Sequence, residues 1–276
     1  MRVAVTSKAF SKNDELVTLL SKYFDDYRLN YAPAKLTDGE LIDFLKDCDA
    51  VILALESVNE YVLSQCPKLK VISKFGVGTD NIDFSACEKY SVSVLNTPGV
   101  NSESVAELTL SFSLMLLRNV YVSSNKLSYG HWEKNGGFSL YDKTFGIIGC
   151  GNVGFKLIQL LKPFRCRVLI NDIVDKSHVC IGDNVKQVSL NRLLEESDIV
   201  SLHVPLTDKT IQMVNAAFLK KMKKTAFFIN TSRGDNVDLD ALYHSLVNNE
   251  IAGAAIDVYP VEPPDHISLL SLPNLI

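Results

Sequence analysis

The chain has 276 residues, 47% of them hydrophobic, and a net charge of −4 with acids and bases interspersed. That length suits about two domains with substantial cores, and the mixed charge excludes a basic stripe for nucleic acid and a polybasic membrane patch. No apolar run approaches about 18 residues, and the opening MRVAVTSKAF meets charge too soon for a signal peptide; the expected compartment is the cytoplasm and the expected partners are small molecules or protein, with no membrane.

Taken in chain order, apolar strand candidates at residues 2–5, 50–53, 70–73 and 92–95 alternate with helical patterns at 14–23, 38–46 and 83–90. Asp14, Asp38 and Asp83 stand near the helix starts as N-terminal signals. This alternation predicts a small parallel α/β domain over residues 1–98. A long helix follows, starting near Ser102 or Ser104, with Val105, Leu108, Phe112, Met115 and Leu116 on one stripe; it is expected to cross between the domains. From residue 99 to 276 the chain is expected to form a second α/β domain.

The most informative block is KTFGIIGCGNVGFKLIQLLKPFRCRVLIND, residues 143–172. Residues 144–148 form an apolar run fit for a buried parallel strand, and Gly149, Gly151 and Gly154 then give G-x-G-x-x-G where strand should become helix. The first glycine permits the tight turn, the second admits a pyrophosphate, and the third lets helix pack on strand. The free N–H groups of the first turn, Asn152 and Val153 included, face the phosphate. Val153, Leu157, Leu160 and Leu161 repeat at helical spacing, and Pro163 should end the helix. A second strand over 167–171 delivers Asp172, an acid about 20 residues beyond the glycines that can accept from adenosine ribose hydroxyls and would repel a 2′-phosphate. The predicted cofactor is NAD.

Beyond Asp172, strands near 199–203, 226–230 and 252–256 and helices near 190–196, 216–222 and 239–247 extend the sheet. The expected fold class is α/β with two doubly wound parallel-sheet domains, the second of Rossmann type. Ligands bind such sheets beyond the carboxyl ends of the strands, so the loops opening at Lys74, Asn96, Gly149, Asp172, Pro205, Thr231 and Asp257 carry functional weight. Cys48, Cys66, Cys87, Cys150, Cys166 and Cys180 lack paired spacing and read as structural thiols, although oxidation of Cys150, inside the glycine turn, would block a cofactor. No metal site is expected, because acids and histidines lack ligand spacing.

Six segments resemble the D-isomer-specific 2-hydroxyacid dehydrogenases, especially the phosphoglycerate dehydrogenase branch: KFGVGTDNID (74–83), NTPGVNSESVAELT (96–109), GIIGCGNVG (146–154), HVPLT (203–207), INTSRGDNVD (229–238) and AIDVYPVEP (255–263). They follow the family's order and cover most of the chain from about residue 70. The resemblance implies a flavodoxin-like substrate domain beside the Rossmann domain, and a small 2-hydroxy or 2-keto acid as substrate. It further implies that the cofactor meets His203, Val204, Pro205, Thr210, Thr231, Ser232, Arg233 and Asp257. Arg233 would bind the substrate carboxylate and keto oxygen, a task that suits a permanently charged planar guanidinium; the bland alternative is a surface ion pair. Glu262 matches the acid that orients the catalytic histidine, or is a solvated loop acid. Asp257 matches a position at the nicotinamide end, or is a strand-end turn former.

Backbone N–H groups around Gly76, Val77 and Gly78 are implied to lie near the substrate carboxylate. Lys74 stands where phosphoglycerate-type members often carry a phosphate-binding arginine. The family's basic histidine follows soon after a segment matched here by LPNLI (272–276), so it is expected beyond residue 276, and the chain as written is expected to bind NAD but turn over poorly. His131, His178, His203, His244 and His266 do not fit that slot. The reading open at this point is oxidation of a D-2-hydroxy acid such as 3-phosphoglycerate. Glyoxylate or hydroxypyruvate reduction, and an NAD-sensing co-regulator of the same architecture, are the alternatives. A homodimer through the Ser104 helix and the following 130–138 arm is implied as well.

Overall fold

In the computed structural model, which describes every residue except Asn135, Ile181 and Asp183, the chain divides into two compact units, Met1–Val100 and Asn101–Ile276.

The first unit holds five parallel strands: β1 (Arg2–Val5), β2 (Asp26–Leu29), β3 (Ala50–Leu53), β4 (Val71–Lys74) and β5 (Ser93–Leu95). Their spatial order is β2-β1-β3-β4-β5, the flavodoxin-like doubly wound order. Helices α1 (Lys8–Ser11), α2 (Asp14–Ser21), α3 (Asp38–Leu45), α4 (Glu60–Gln65) and α5 (Phe84–Lys89) connect them. The cap of α2 is Asn13 and that of α3 is Thr37, each one residue before the acid that signalled the start, while Asp83 itself caps α5. Thr37 and Glu40 form a reciprocal capping box, satisfying two otherwise orphaned N–H groups. The main core gathers Leu41, Leu45, Leu53, Leu63 and Ile72 on one side of the sheet, and Val3, Val5, Phe10 and Leu20 form a smaller cluster.

The second unit opens with α6 (Ser102–Leu117) and α7 (Val120–Ser128), bent by 67° at a break where Asn119 takes a left-handed conformation. Six parallel strands follow: β6 (Thr144–Ile148), β7 (Arg167–Asn171), β8 (Val185–Gln187), β9 (Ile199–Leu202), β10 (Phe227–Asn230) and β11 (Gly253–Ile256). They are ordered β11-β10-β9-β6-β7-β8, which is the Rossmann order with its switch point between β6 and β9. Helices α8 (Asn152–Leu161), α9 (Leu190–Glu196), α10 (Ala216–Leu219), α11 (Leu239–Val247) and α12 (Ile267–Leu270) complete the unit.

Apolar side chains alternate between the two faces of this sheet. Phe145, Ile147, Val168, Ile170 and Ile229 enter one core with α6 and α8, whereas Ile148, Leu169, Val200 and Phe228 enter the other with α10 and α11. A strand buried on both faces reads as a continuous apolar run, as β6 does. The α8 helix stops at Leu161, and Pro163 lies in a single 3-10 turn that follows. Residues 274–276 run beside β11, with Ile276 N–H donating to the Ala254 carbonyl and Ile256 N–H to the Ile276 carbonyl. No single helix among the described residues is long and apolar enough to cross a membrane.

Candidate active site

The strand ends of the second unit converge at the switch point. Gly149 follows β6 with φ of +89°, and a Cβ there would stand 2.5 Å from the carbonyl oxygen of His203, which follows β9. Only glycine allows both the conformation and the approach. A Cβ on Gly154 would stand 2.5 Å from the Gly149 carbonyl oxygen, so α8 lies hard against the turn, whereas a Cβ on Gly151 would meet nothing within 4 Å. That open space above the first turn of α8, where the N–H groups of Asn152 and Val153 begin the helix, is where a pyrophosphate fits.

Asp172 closes the other side. Its Oδ2 accepts from the Cys150 N–H at 2.8 Å and its Oδ1 from the Val174 N–H at 2.9 Å, with Lys176 Nζ 4.0 Å from Oδ2. The acid is thereby fixed to the glycine turn that it serves, and carboxylate lone pairs remain for ribose hydroxyls. Gln187 of β8 steadies the loop, accepting from the Lys176 N–H at 2.7 Å and donating to the Val174 carbonyl at 3.0 Å. Cys150 is buried, and burial pushes its thiol up to about 11. A protonated, enclosed thiol is a poor nucleophile.

Along the other strand ends, His203 Nε2 stands 3.0 Å from Ser201 Oγ, two residues earlier on the same face of β9, while its buried Nδ1 has no partner. Burial pushes this imidazole down to about 4, so it is neutral at pH 7. Val204 and Pro205 continue the loop, and Thr210 staples it: its hydroxyl donates to the Pro205 carbonyl at 2.6 Å and accepts from the Thr207 N–H at 2.8 Å. The Thr231 hydroxyl lies 3.1 Å from that of Thr109 on α6. Both threonine hydroxyls, expected to meet cofactor, are occupied within the protein.

Beyond β10, Arg233 is extended (φ −142°, ψ 141°), and its Nη1 donates to the Ser232 carbonyl at 2.7 Å. Behind it Gly234 abuts the next loop so closely that a Cβ would lie 2.0 Å from the Tyr259 carbonyl carbon. That loop carries Asp257 and Glu262. Glu262 Oε1 accepts from the Tyr259 N–H at 3.1 Å. The Asp257 carboxyl is raised above its usual range, first by burial and then by the nearby Glu262 charge.

In the first unit, Gly76 takes φ of +130° just past β4, the left-handed region that glycine tolerates, and precedes Val77 and Gly78. Lys74 Nζ donates to the Ala54 carbonyl and, at 2.8 Å, to Asn81 Oδ1. Among the described residues no group of three or more acids, histidines and cysteines could hold a metal.

Sequence reading missed Ser201 and Gln187. The serine was detectable from its period-two spacing to His203; the glutamine lies on an edge strand with no clear pattern of its own.

Residues 110–276 match the family described as D-isomer specific 2-hydroxyacid dehydrogenase, NAD binding domain. A glyoxylate reductase of Korarchaeum cryptofilum is 37% identical over 244 residues, 86% of this chain and 74% of that protein. A D-3-phosphoglycerate dehydrogenase of Methanocaldococcus jannaschii is also 37% identical, over 87% of this chain but only 47% of its own length. The solved D-lactate dehydrogenase of Aquifex aeolicus, complexed with NAD and lactic acid, superposes with a TM-score of 0.86 at 27% identity, covering 100% of this chain and 87% of that one. The chain belongs to the D-isomer specific 2-hydroxyacid dehydrogenase family of NAD-dependent oxidoreductases.

Proposed function

We propose that the chain serves the interconversion of a small unphosphorylated 2-keto acid, of the glyoxylate or hydroxypyruvate kind, with its D-2-hydroxy acid. The observation that carries this reading is Arg233, an extended guanidinium-bearing residue at the ligand edge of the nucleotide sheet, wedged from behind by the Tyr259–Pro260 backbone. A guanidinium there can grip a carboxylate through two N–H groups and stabilise charge on the keto oxygen. NAD, when bound, exchanges a hydride with the substrate carbon. The open space over Gly151, the N–H groups of Asn152 and Val153, and Asp172 are proposed to hold the pyrophosphate and ribose. The loops at His203–Pro205, Thr231–Arg233 and Asp257 line the remainder.

Glu262 is proposed to orient a histidine base and favour its protonated form. None of the five histidines present is proposed as that base, since each is engaged or exposed elsewhere. His203 is bound to Ser201, and His266 caps α12 while its Nε2 meets Asp240 at 3.1 Å. His131, His178 and His244 are exposed.

Lys74 is read as favouring an unphosphorylated acid over 3-phosphoglycerate, because its ammonium already donates to the Ala54 carbonyl and to Asn81 Oδ1 and is a point charge without the bidentate fork of an arginine. In that same unit the 76–78 backbone is proposed to donate to a carboxylate. Two copies of the chain are proposed to associate through α6, α7 and the 130–138 arm, within which Asn135 lies outside the described residues; Tyr129, Trp132 and Phe138 are exposed there.

The test uses oxamate, an unreactive keto-acid mimic, titrated calorimetrically into the NADH-saturated chain, which needs no base. Arg233→Lys should weaken oxamate by at least about tenfold, the loss of one charge-assisted hydrogen bond, with a much smaller effect on NADH. Equal oxamate affinity in the variant rejects the assignment. NADH turnover with glyoxylate against 3-phosphohydroxypyruvate separates the substrates.

A further inference from the structure

Arg233 lies three residues beyond a polar side chain that is buried at the end of β10. Asn230 is the last residue of β10, and that strand is held on both sides, by β9 at Leu202 and by β11 at Ile256, so its backbone is fixed. Its side chain is fully buried, and both its oxygen and its nitrogen are hydrogen-bonded. Oδ1 accepts from the Ser232 N–H at 3.0 Å and from the Ser232 hydroxyl at 2.8 Å, and Nδ2 donates to the Arg233 carbonyl at 2.8 Å. One amide thus dictates the path of the three residues after the strand, and the last of them is Arg233. The bonds continue inward, because Asn236 Nδ2 lies 3.3 Å from both Ser232 Oγ and the Val204 carbonyl.

We propose that Asn230 is a positioning residue for substrate carboxylate binding, its side-chain amide holding the Arg233 backbone in the extended conformation that presents the guanidinium. This rests on the reading of Arg233 as the carboxylate anchor. The chemistry makes Asn specific at this position. Aspartate has the same shape, but as a carboxylate it only accepts, so it opposes the Arg233 carbonyl with charge; protonated, it can donate again. Threonine can still accept from the Ser232 N–H as a local turn former, but is too short to reach Arg233. Neither change enters the glycine turn or the Asp172 loop.

The experiment titrates oxamate into the NADH-saturated full chain at pH 8 and pH 5.5, each variant compared with wild type at the same pH. Asn230→Asp should bind oxamate at least tenfold more weakly at pH 8 and recover to within threefold at pH 5.5, with NADH affinity within twofold throughout. Asn230→Thr should be weakened about tenfold at both pH values, and it decides the matter if the aspartate variant does not fold. Wild-type oxamate affinity in a folded variant, or equal loss of NADH and oxamate, overturns the inference. Arg233→Lys is run alongside. If it loses oxamate while the Asn230 variants do not, only the positioning role fails; if it binds oxamate like wild type, or wild type binds none, the anchor reading fails and the inference with it.

Discussion

At the scale of single residues, His203 is set by its surroundings. The resemblance implies that it meets the cofactor, but its protonation follows from burial of the ring, whose Nε2 lies beside Ser201 Oγ, and burial is not encoded by spacing. Its folded-state value of about 4 lies below the ordinary 6.5. A histidine depressed in this way stabilises the fold fully above about pH 6.5, where both states are neutral. That stability is lost as the pH falls through the window from 6.5 to 4, because the unfolded chain takes up a proton that the folded one refuses. The loss should be on the order of 3 kcal/mol. Urea unfolding at pH 7 and pH 4.5 should therefore show a smaller drop in stability for His203→Gln than for wild type; identical slopes would remove the histidine from the account. The positions of Arg233 and Glu262 in loops that follow β10 and β11 were legible from the apolar runs before them. The occupied hydroxyls of Thr210 and Thr231 were not, since their partners, the Pro205 carbonyl and Thr109, are set by tertiary contact.

At the scale of elements, the glycine turn separates folding from binding within six residues. Gly149 and Gly154 serve the protein's own packing, because a Cβ at either collides with backbone at 2.5 Å. A Cβ on Gly151 meets only open space, and this glycine is proposed to serve the ligand. Gly149→Ala and Gly154→Ala should each lower stability by about 1–3 kcal/mol through overpacking, more at Gly149 where the conformation also resists a side chain. Gly151→Ala should melt with wild-type cooperativity and temperature yet bind NADH at least about tenfold more weakly, a loss of roughly 1.4 kcal/mol. Calorimetry and thermal melts of the three variants distinguish the roles, and an unaltered NADH affinity in Gly151→Ala would falsify the placement of the pyrophosphate. The turn was legible because each glycine answers a steric demand. The edge strands β2 and β8 escaped, as one-sided pairing requires neither a continuous apolar run nor strict alternation, and their sequences, DYRL and VKQ, show neither.

At the scale of the whole molecule, doubly wound sheets follow from a chain that alternates strand and helix and obeys right-handed crossovers, which is why they were legible in the sequence, whereas the strand orders, which differ between the two units, were not. The proposed association of copies rests on a different feature. The α7 segment and the arm that follows put Tyr121, Leu127, Tyr129, Trp132, Phe138 and Tyr141 on the surface, with Trp132 77% exposed. Exposed large apolar and aromatic side chains are costly in water and are what the buried centre of a protein–protein interface uses. Because the chain has a single tryptophan, its fluorescence reports on this arm alone. At about 10 µM the protein should sediment at twice the 30.6 kDa chain mass, and a tight interface of standard size should persist well below that concentration. Dilution through the dissociation range should shift Trp132 emission to the red as the ring meets water. A Leu127→Asp, Tyr129→Asp double variant should sediment as monomer with red-shifted emission, while its NADH affinity stays within twofold of wild type, since the glycine turn lies elsewhere in the same unit. A wild-type chain that sediments as monomer at 10 µM, or an emission maximum that does not move on dilution of a dimer, would show that this arm is not the surface through which the copies meet.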